Sequence, residues 1–283
     1  MNEFFSAVIE FSFLQKALIA GVLAAVACGI VGPFIVARRI SYIGGGIAHS
    51  VLGGMGAAYF FSYLFKWDGL HPLYGAVAAA LLSAIVIGLV SLRARQREDT
   101  IISAIWAIGM AVGIIFIMKT PGYSENLLSY LFGNILMVSS QDLWQIAGLD
   151  LLIIAMVILF YNKFLVICFD EEFARARGIN VEFYYLLLLC LTALTVVVLI
   201  TVVGIVMVIA LLTLPVAISG YFTRTLWQTM ILSIVTTIIL TVFGLALSYN
   251  LDLPSGAVII LLAGSLFLLT IIGKKILSVF VSK

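Results

Sequence analysis

The chain has 283 residues, of which 64% are hydrophobic and 10% are charged, and its mean hydropathy is +1.26. A soluble domain is nearer half apolar and a quarter charged. This composition therefore excludes an ordinary soluble protein and predicts an integral membrane protein that contacts lipid. The net charge of +2 is too small to indicate a nucleic-acid partner.

The sequence lacks several patterns that would indicate other classes of protein. Its N-terminus is acidic where a cleavable signal peptide would be basic, so we expect no such signal. No Cys-x-x-Cys pair is present among the three cysteines, which favours free buried thiols over a disulfide or a cysteine zinc site. There is no Gly-x-x-x-x-Gly-Lys-Ser/Thr phosphate loop, so any nucleotide hydrolysis must occur on another polypeptide.

Nine segments are apolar over the roughly 20 residues that a membrane-spanning helix needs. They are 13–37, 44–65, 72–94, 100–119, 142–164, 181–201, 203–221, 226–249 and 255–273. The division near Gly204 falls in an uncharged run, and we expect Pro215 to break or kink the helix after it. The pattern predicts an all-α, polytopic protein with about 8–9 transmembrane helices, in which residues 1–283 form a single transmembrane domain without a soluble domain.

Basic residues indicate the orientation of these spans. Lys119 lies on the other, external side, but most basic residues fall at alternate loops: Arg38, Arg39, Arg93, Arg95, Arg97, Lys163, Arg175, Arg177, Arg224, Lys274 and Lys275. The positive-inside rule assigns those loops to the cytoplasm. We therefore expect an external N-terminus and a cytoplasmic C-terminus in a multi-pass protein.

The second predicted span holds a histidine among glycines. At helical spacing, Gly45 and Gly53 share the face of His49, and Gly46 and Gly54 lie on the adjacent stripe. Such small residues let helices approach closely, and helix packing is the favoured interpretation of the glycines. An imidazole within a span is costly and commonly faces a protein interior or a water-filled path. His49 is thus a candidate metal ligand, although a hydrogen bond to a neighbouring helix also explains it.

Two further segments carry polar side chains. His71 precedes Pro72 in a predicted external loop, where an ordinary turn is favoured over a metal ligand. Residues 170–178 are helix-compatible, with acidic residues first, basic residues last and Gly178 placed to stop the helix. With Phe169 and Phe173 on one side, this short helix lies either on the membrane surface or in the groove of a soluble partner.

Several stretches are together similar to one family. They are 40–54, 98–109, 128–136 with 142–144, 170–178, 203–215 and 248–256. In this order, and over nearly the whole chain, they resemble the permease subunits of bacterial zinc and manganese ABC importers, the ABC transporter type 3 permease family.

This resemblance implies a homodimeric permease in the bacterial cytoplasmic (inner) membrane. A dimer of ABC ATPase subunits would dock to it, and an extracytoplasmic metal-binding protein would deliver zinc, manganese or iron, with no permanently bound cofactor. The segment that would couple the permease to the ATPase contains Asp170, Glu171, Glu172, Phe173, Arg175 and Gly178. The chain itself would be a transport subunit rather than an enzyme.

One departure from the family pattern concerns the metal path. Relatives commonly read Gly-Asp-Ala-Ile-Ser-His-x-x-Leu-Pro-Gly, whereas this chain keeps His49 but has Gly45 at the aspartate position and Gly53 at the proline position. Carboxylate oxygen suits Mn²⁺ and imidazole suits Zn²⁺. The remaining nitrogen therefore favours zinc over manganese.

Two other functions compete with a metal importer. A secondary transporter or channel would need no ATP. However, we count His49 as the single ionisable residue deep in a span, and one such residue is too few for a typical proton relay. An intramembrane zinc protease would need a motif such as His-Glu-x-x-His, which the sequence lacks.

Overall fold

The computed structural model describes residues 2–67, 71–94, 98–120, 135–205 and 208–281. Its helices are α1 (Asn2–Glu10), α2 (Ser12–Ala37), α3 (Ile43–Phe65), α4 (Pro72–Ala94), α5 (Glu98–Lys119), α6 (Ser140–Phe169), α7 (Glu171–Ala176), α8 (Val181–Val203), α9 (Val208–Gly220), α10 (Leu226–Leu251) and α11 (Ser255–Val281), with a 3₁₀ turn at Ile135–Met137. These residues contain no strand, and the all-α prediction is confirmed.

Among the described residues, seven helices are long and apolar enough to cross a membrane. They are α2, α4, α5, α6, α8, α10 and α11. The predicted second span is also a helix, α3, with 23 residues, but its glycines and His49 make it less apolar. The predicted seventh span is shorter than expected, because α9 has only 13 residues.

Two helices differ from the expected boundaries. Pro215 does not break its helix, because α9 continues through it to Gly220, and a kink at this residue stays a prediction. The predicted span 142–164 is longer at both ends, since α6 runs from Ser140 to Phe169. A capping box at Ser139 and Asp142 extends its start, because each side chain accepts the backbone N–H of the other residue.

The centre of the bundle is formed by α2 and α8. In the most apolar stretch of each, 67% and 78% of the residues are buried, against 22% in α5, α6 and α11. α6 packs on α2 through Phe34 and Phe164, whose ring centroids lie 5.6 Å apart. The less buried helices therefore surround a core of α2 and α8.

Glycine contacts hold α3 between α4 and α5. A Cβ atom at Gly53 would lie 2.9 Å from the carbonyl oxygen of Gly109 on α5. On the other side, Gly54 faces Gly75 of α4 so closely that a Cβ atom on either would overlap the other's carbonyl oxygen. Backbones this close leave no room for larger side chains.

Candidate functional site

His49 lies in α3, and its imidazole stacks on the indole of Trp106 in α5. The ring centroids are 4.2 Å apart and the ring planes differ by 13°. The ring nitrogen Nδ1 is buried and has no hydrogen-bond partner in the described part of the chain. A buried imidazole nitrogen without a partner is free to accept a proton donor or to bind a cation.

The space beside Gly45 is filled by apolar side chains. A Cβ atom at Gly45 would lie 3.1 Å from Cγ1 of Ile209 in α9 and 3.3 Å from Cζ3 of Trp106. The position where the resemblance leads us to expect an aspartate is therefore closed by an isoleucine and a tryptophan. Trp106 thus adjoins both Gly45 and His49, and the three atoms nearest to a Cβ atom at Gly45 are carbon atoms of Ile209 and Trp106.

The other glycines of the stretch lie close to neighbouring helices. Gly46 faces Ile102 of α5, whose Cγ2 would lie 2.6 Å from an added Cβ atom. Gly53 and Gly54 make the α5 and α4 contacts described above. All four glycines thus lie where a larger residue would displace a neighbour.

His71 lies at the start of α4, away from His49. Its Nδ1 accepts the backbone N–H of Leu73 at 3.3 Å. This bond gives a partner to an amide of the first helical turn, where amides have no partner within the helix. Ser50, the neighbour of His49, accepts a hydrogen bond from the hydroxyl of Ser83 in α4 at 2.7 Å. His71 lies twelve residues before Ser83, so about 18 Å of helix separates the levels of the two histidines. The two histidines are not brought together, and the described residues contain no cluster of three or more His, Cys, Asp or Glu side chains able to hold a metal.

Asp150 is a buried carboxylate that the sequence reasoning missed. It is the eleventh residue of α6, only 3% of its surface is exposed, and neither carboxylate oxygen has a hydrogen-bond partner among the described residues. The count of His49 as the single ionisable residue deep in a span was therefore wrong. The signal was available, because Asp150 lies inside the predicted span 142–164.

The short helix α7 exposes its charged and aromatic residues. Glu171, Glu172 and Arg175 are exposed, and Phe169 and Phe173 are 68% and 47% exposed. Only Ala174 of this helix is buried. The exposed face thus combines two aromatic rings with charges of both signs.

Both ends of α7 are fixed by local hydrogen bonds. Asp170 Oδ1 accepts the backbone N–H of Phe173 at 2.8 Å, an N-cap bond. At the other end Gly178 has φ +73°, and the amides of Gly178 and Ile179 donate to the carbonyls of Arg175 and Ala174, each at 3.0 Å. This is a Schellman motif, in which glycine takes the left-handed conformation.

Comparison with known proteins shows the family. Residues 10–274 match the model of the ABC 3 transport family. The chain belongs to this family. As a member of this family, the chain is a permease subunit in a membrane, which is a transport component and not an enzyme.

Individual relatives match the chain over most of their length. The "Probable metal transport system membrane protein" of Chlamydia trachomatis is 43% identical over 93% of this chain and 89% of its own. The "Manganese transport system membrane protein MntC" of Halalkalibacterium halodurans is 36% identical over 95% and 90%. The solved structure "PsaBC from Streptococcus pneumoniae in complex with Fab" superposes with a TM-score of 0.84 at 33% identity, over 95% of this chain and 94% of that chain.

Proposed function

We propose that this ABC 3 family member is the permease subunit of an importer that carries a divalent transition metal across the cytoplasmic membrane. The observation that carries the proposal is the family match over residues 10–274, together with relatives named for metal transport over nearly the same length. Within the chain, the buried His49 nitrogen is the candidate contact with the metal during its passage. His71 is a weaker candidate, because its Nδ1 already serves the start of α4.

The partners follow from the same proposal. The protein forms a homodimer, an extracytoplasmic metal-binding protein delivers the metal, and an ABC ATPase dimer hydrolyses ATP on the other side. The basic loops support a cytoplasmic C-terminus and an external N-terminus. α7 docks on the ATPase, because Phe169 and Phe173 are exposed beside charges of both signs, as in a helix that inserts into a protein groove.

Two metals are candidates for the cargo, each for a different reason. Manganese is favoured by the names of relatives such as MntC. Zinc is favoured by the donor set, because imidazole is present at His49 and the atoms nearest to an added Cβ at Gly45 belong to Ile209 and Trp106. Uptake of Mn²⁺ and Zn²⁺ in competition, by the reconstituted complex, discriminates between the two metals.

The experiment that tests the function compares two histidine variants in the reconstituted complex. We expect ATP-dependent metal uptake by the wild type and by His71→Ala, and a large loss of uptake in His49→Ala. Full uptake by His49→Ala would remove His49 from the mechanism. Metal flux without ATP or an ATPase subunit would instead favour an ATP-independent transporter or channel.

A further inference from the structure

The guanidinium of Arg38 joins the ends of four helices. Arg38 follows the last residue of α2, and its side chain is 13% exposed. Nη1 donates to the carbonyl oxygen of Ile167 in α6 at 2.7 Å, and Nη2 donates to Oε1 of Glu171 in α7 at 2.5 Å. The guanidinium carbon also lies 4.4 Å from the ring centroid of Tyr185 in α8, a cation–π distance.

A second set of contacts continues from Tyr185 to α5. Tyr185 is 1% exposed, and its hydroxyl donates to Oε1 of Glu98 at 2.8 Å. The hydroxyl of Ser91 in α4 donates to the same oxygen at 2.8 Å. Glu171, Arg38, Tyr185 and Glu98 therefore form a continuous polar chain from α7 to the first residue of α5.

One end of this polar chain lies in α5, and Arg38 lies in the turn that leads into α3. Arg38 precedes the first residue of α3 by five positions, and His49 lies six positions into that helix. Glu98 opens α5, and Trp106, which stacks on His49, is eight residues further along, a rise of about 12 Å. The polar chain therefore links α7 both to the turn that leads into α3 and to the start of α5.

A purely structural tie is the simpler explanation of such contacts, and the exposure of Glu171 argues against it. The Glu171 side chain is 44% exposed, and an ion pair in that position adds little to stability. It nevertheless connects the segment proposed to dock on the ATPase with a nearly buried guanidinium. The contact is therefore better suited to position one helix relative to another than to hold the fold together.

We propose that Arg38 and Tyr185 are positioning residues that transmit the movement of α7 to the His49–Trp106 pair. This inference rests on the proposed function, because it assumes that an ATPase acts on α7. Arg38 then has a role beyond that of a basic loop residue, and Glu98 is the residue through which the movement is transmitted to α5.

The test measures metal transported per ATP hydrolysed in the reconstituted complex with its ATPase and binding protein. The variants are Arg38→Gln and Tyr185→Phe, the second of which removes only one hydroxyl oxygen. The matched controls are Arg39→Gln, an exposed neighbour, and Tyr184→Phe, whose ring packs on Phe160 and Phe164.

We expect ATP hydrolysis to continue in Arg38→Gln and Tyr185→Phe, while metal transported per ATP falls about tenfold, the effect of losing one charge-assisted hydrogen bond. The change in Trp106 fluorescence on ATP addition, measured with the other three tryptophans replaced by phenylalanine, should also be lost. Both control variants should keep the wild-type ratio and the fluorescence change.

Two results would overturn the inference. One is a wild-type ratio of metal to ATP in both Arg38→Gln and Tyr185→Phe. The other is a proportional fall of hydrolysis and uptake in a complex that stays assembled, which is the effect of structural damage. A wild-type complex without ATP-dependent metal uptake would be a different outcome, because it would refute the proposed function itself.

Discussion

The variant Gly45→Asp tests whether apolar side chains occupy the place of a carboxylate beside His49. A Cβ atom there would lie 3.1 Å from Ile209 Cγ1 and 3.3 Å from Trp106 Cζ3, inside the roughly 3.5–4.0 Å of an ordinary carbon contact. Because the nearest atom is Cδ1, the end of the flexible Ile209 side chain, we expect overpacking to contribute about 1–2 kcal/mol, the lower end of its range. Burial of the aspartate carboxylate adds to this cost.

Ile209→Ala should relieve this overlap, since it removes the atoms that the introduced aspartate side chain would meet. Thermal unfolding in detergent, measured for the wild type, both single variants and Gly45→Asp/Ile209→Ala, gives the coupling between the two positions. We expect the double variant to be more stable than the sum of the single effects by about 1 kcal/mol. Additive effects would refute the conclusion that Ile209 fills this space.

The same double variant has an expected effect on transport. It places a carboxylate one helical turn before His49, and an oxygen donor favours Mn²⁺ relative to Zn²⁺. In competition uptake we therefore expect the ratio of manganese to zinc to rise. A ratio equal to that of the wild type would show that the residue at position 45 does not set the donors that the metal meets.

Three other predictions concern single positions. Gly54→Ala should lower the free energy of unfolding by about 1–3 kcal/mol, because its Cβ atom meets the backbone of Gly75. The control Gly148→Ala, with open space around it, should be neutral or stabilising. Equal effects of the two variants in thermal unfolding would contradict the close packing at Gly54. Asp150→Leu should leave the unfolding temperature unchanged or raise it, since the carboxylate has no partner among the described residues; a large drop would reveal a bound partner. Gly178→Ala should lower ATPase stimulation and cost about 1 kcal/mol in stability, because the residue has φ +73°, and a wild-type value of both would exclude a role for this helix end.

Local patterns predicted the positions of most helices. The span predicted at 44–65 is Ile43–Phe65, because hydrophobicity and helical spacing are properties of neighbouring residues. The end of α7 before Gly178 could also be predicted from the sequence, since the left-handed turn depends on one glycine. Asp150 could have been found in the same way, as a carboxylate within a predicted span.

Contacts between distant segments could not be predicted from one sequence. Gly45 and Ile209 are 164 positions apart, and nothing in either stretch indicates that one side chain fills the space beside the other. Arg38 was interpreted as a loop charge that sets orientation, yet its partners Ile167 and Glu171 lie 129 and 133 positions away. Such pairs depend on how whole helices pack, which the local pattern does not specify.

The glycine-rich sequence of α3 has a consequence for how the protein enters the membrane. This helix is long enough to span, yet it is not among the seven described helices that are also apolar enough, because its glycines add little hydrophobicity and His49 is polar. Its packing surfaces are supplied by Gly75 and Gly109, which are synthesised later. Stable insertion of the helix that carries His49 should therefore require that α4 and α5 have been synthesised. The candidate metal-contacting segment would then be among the last parts of the N-terminal half to insert stably into the bilayer.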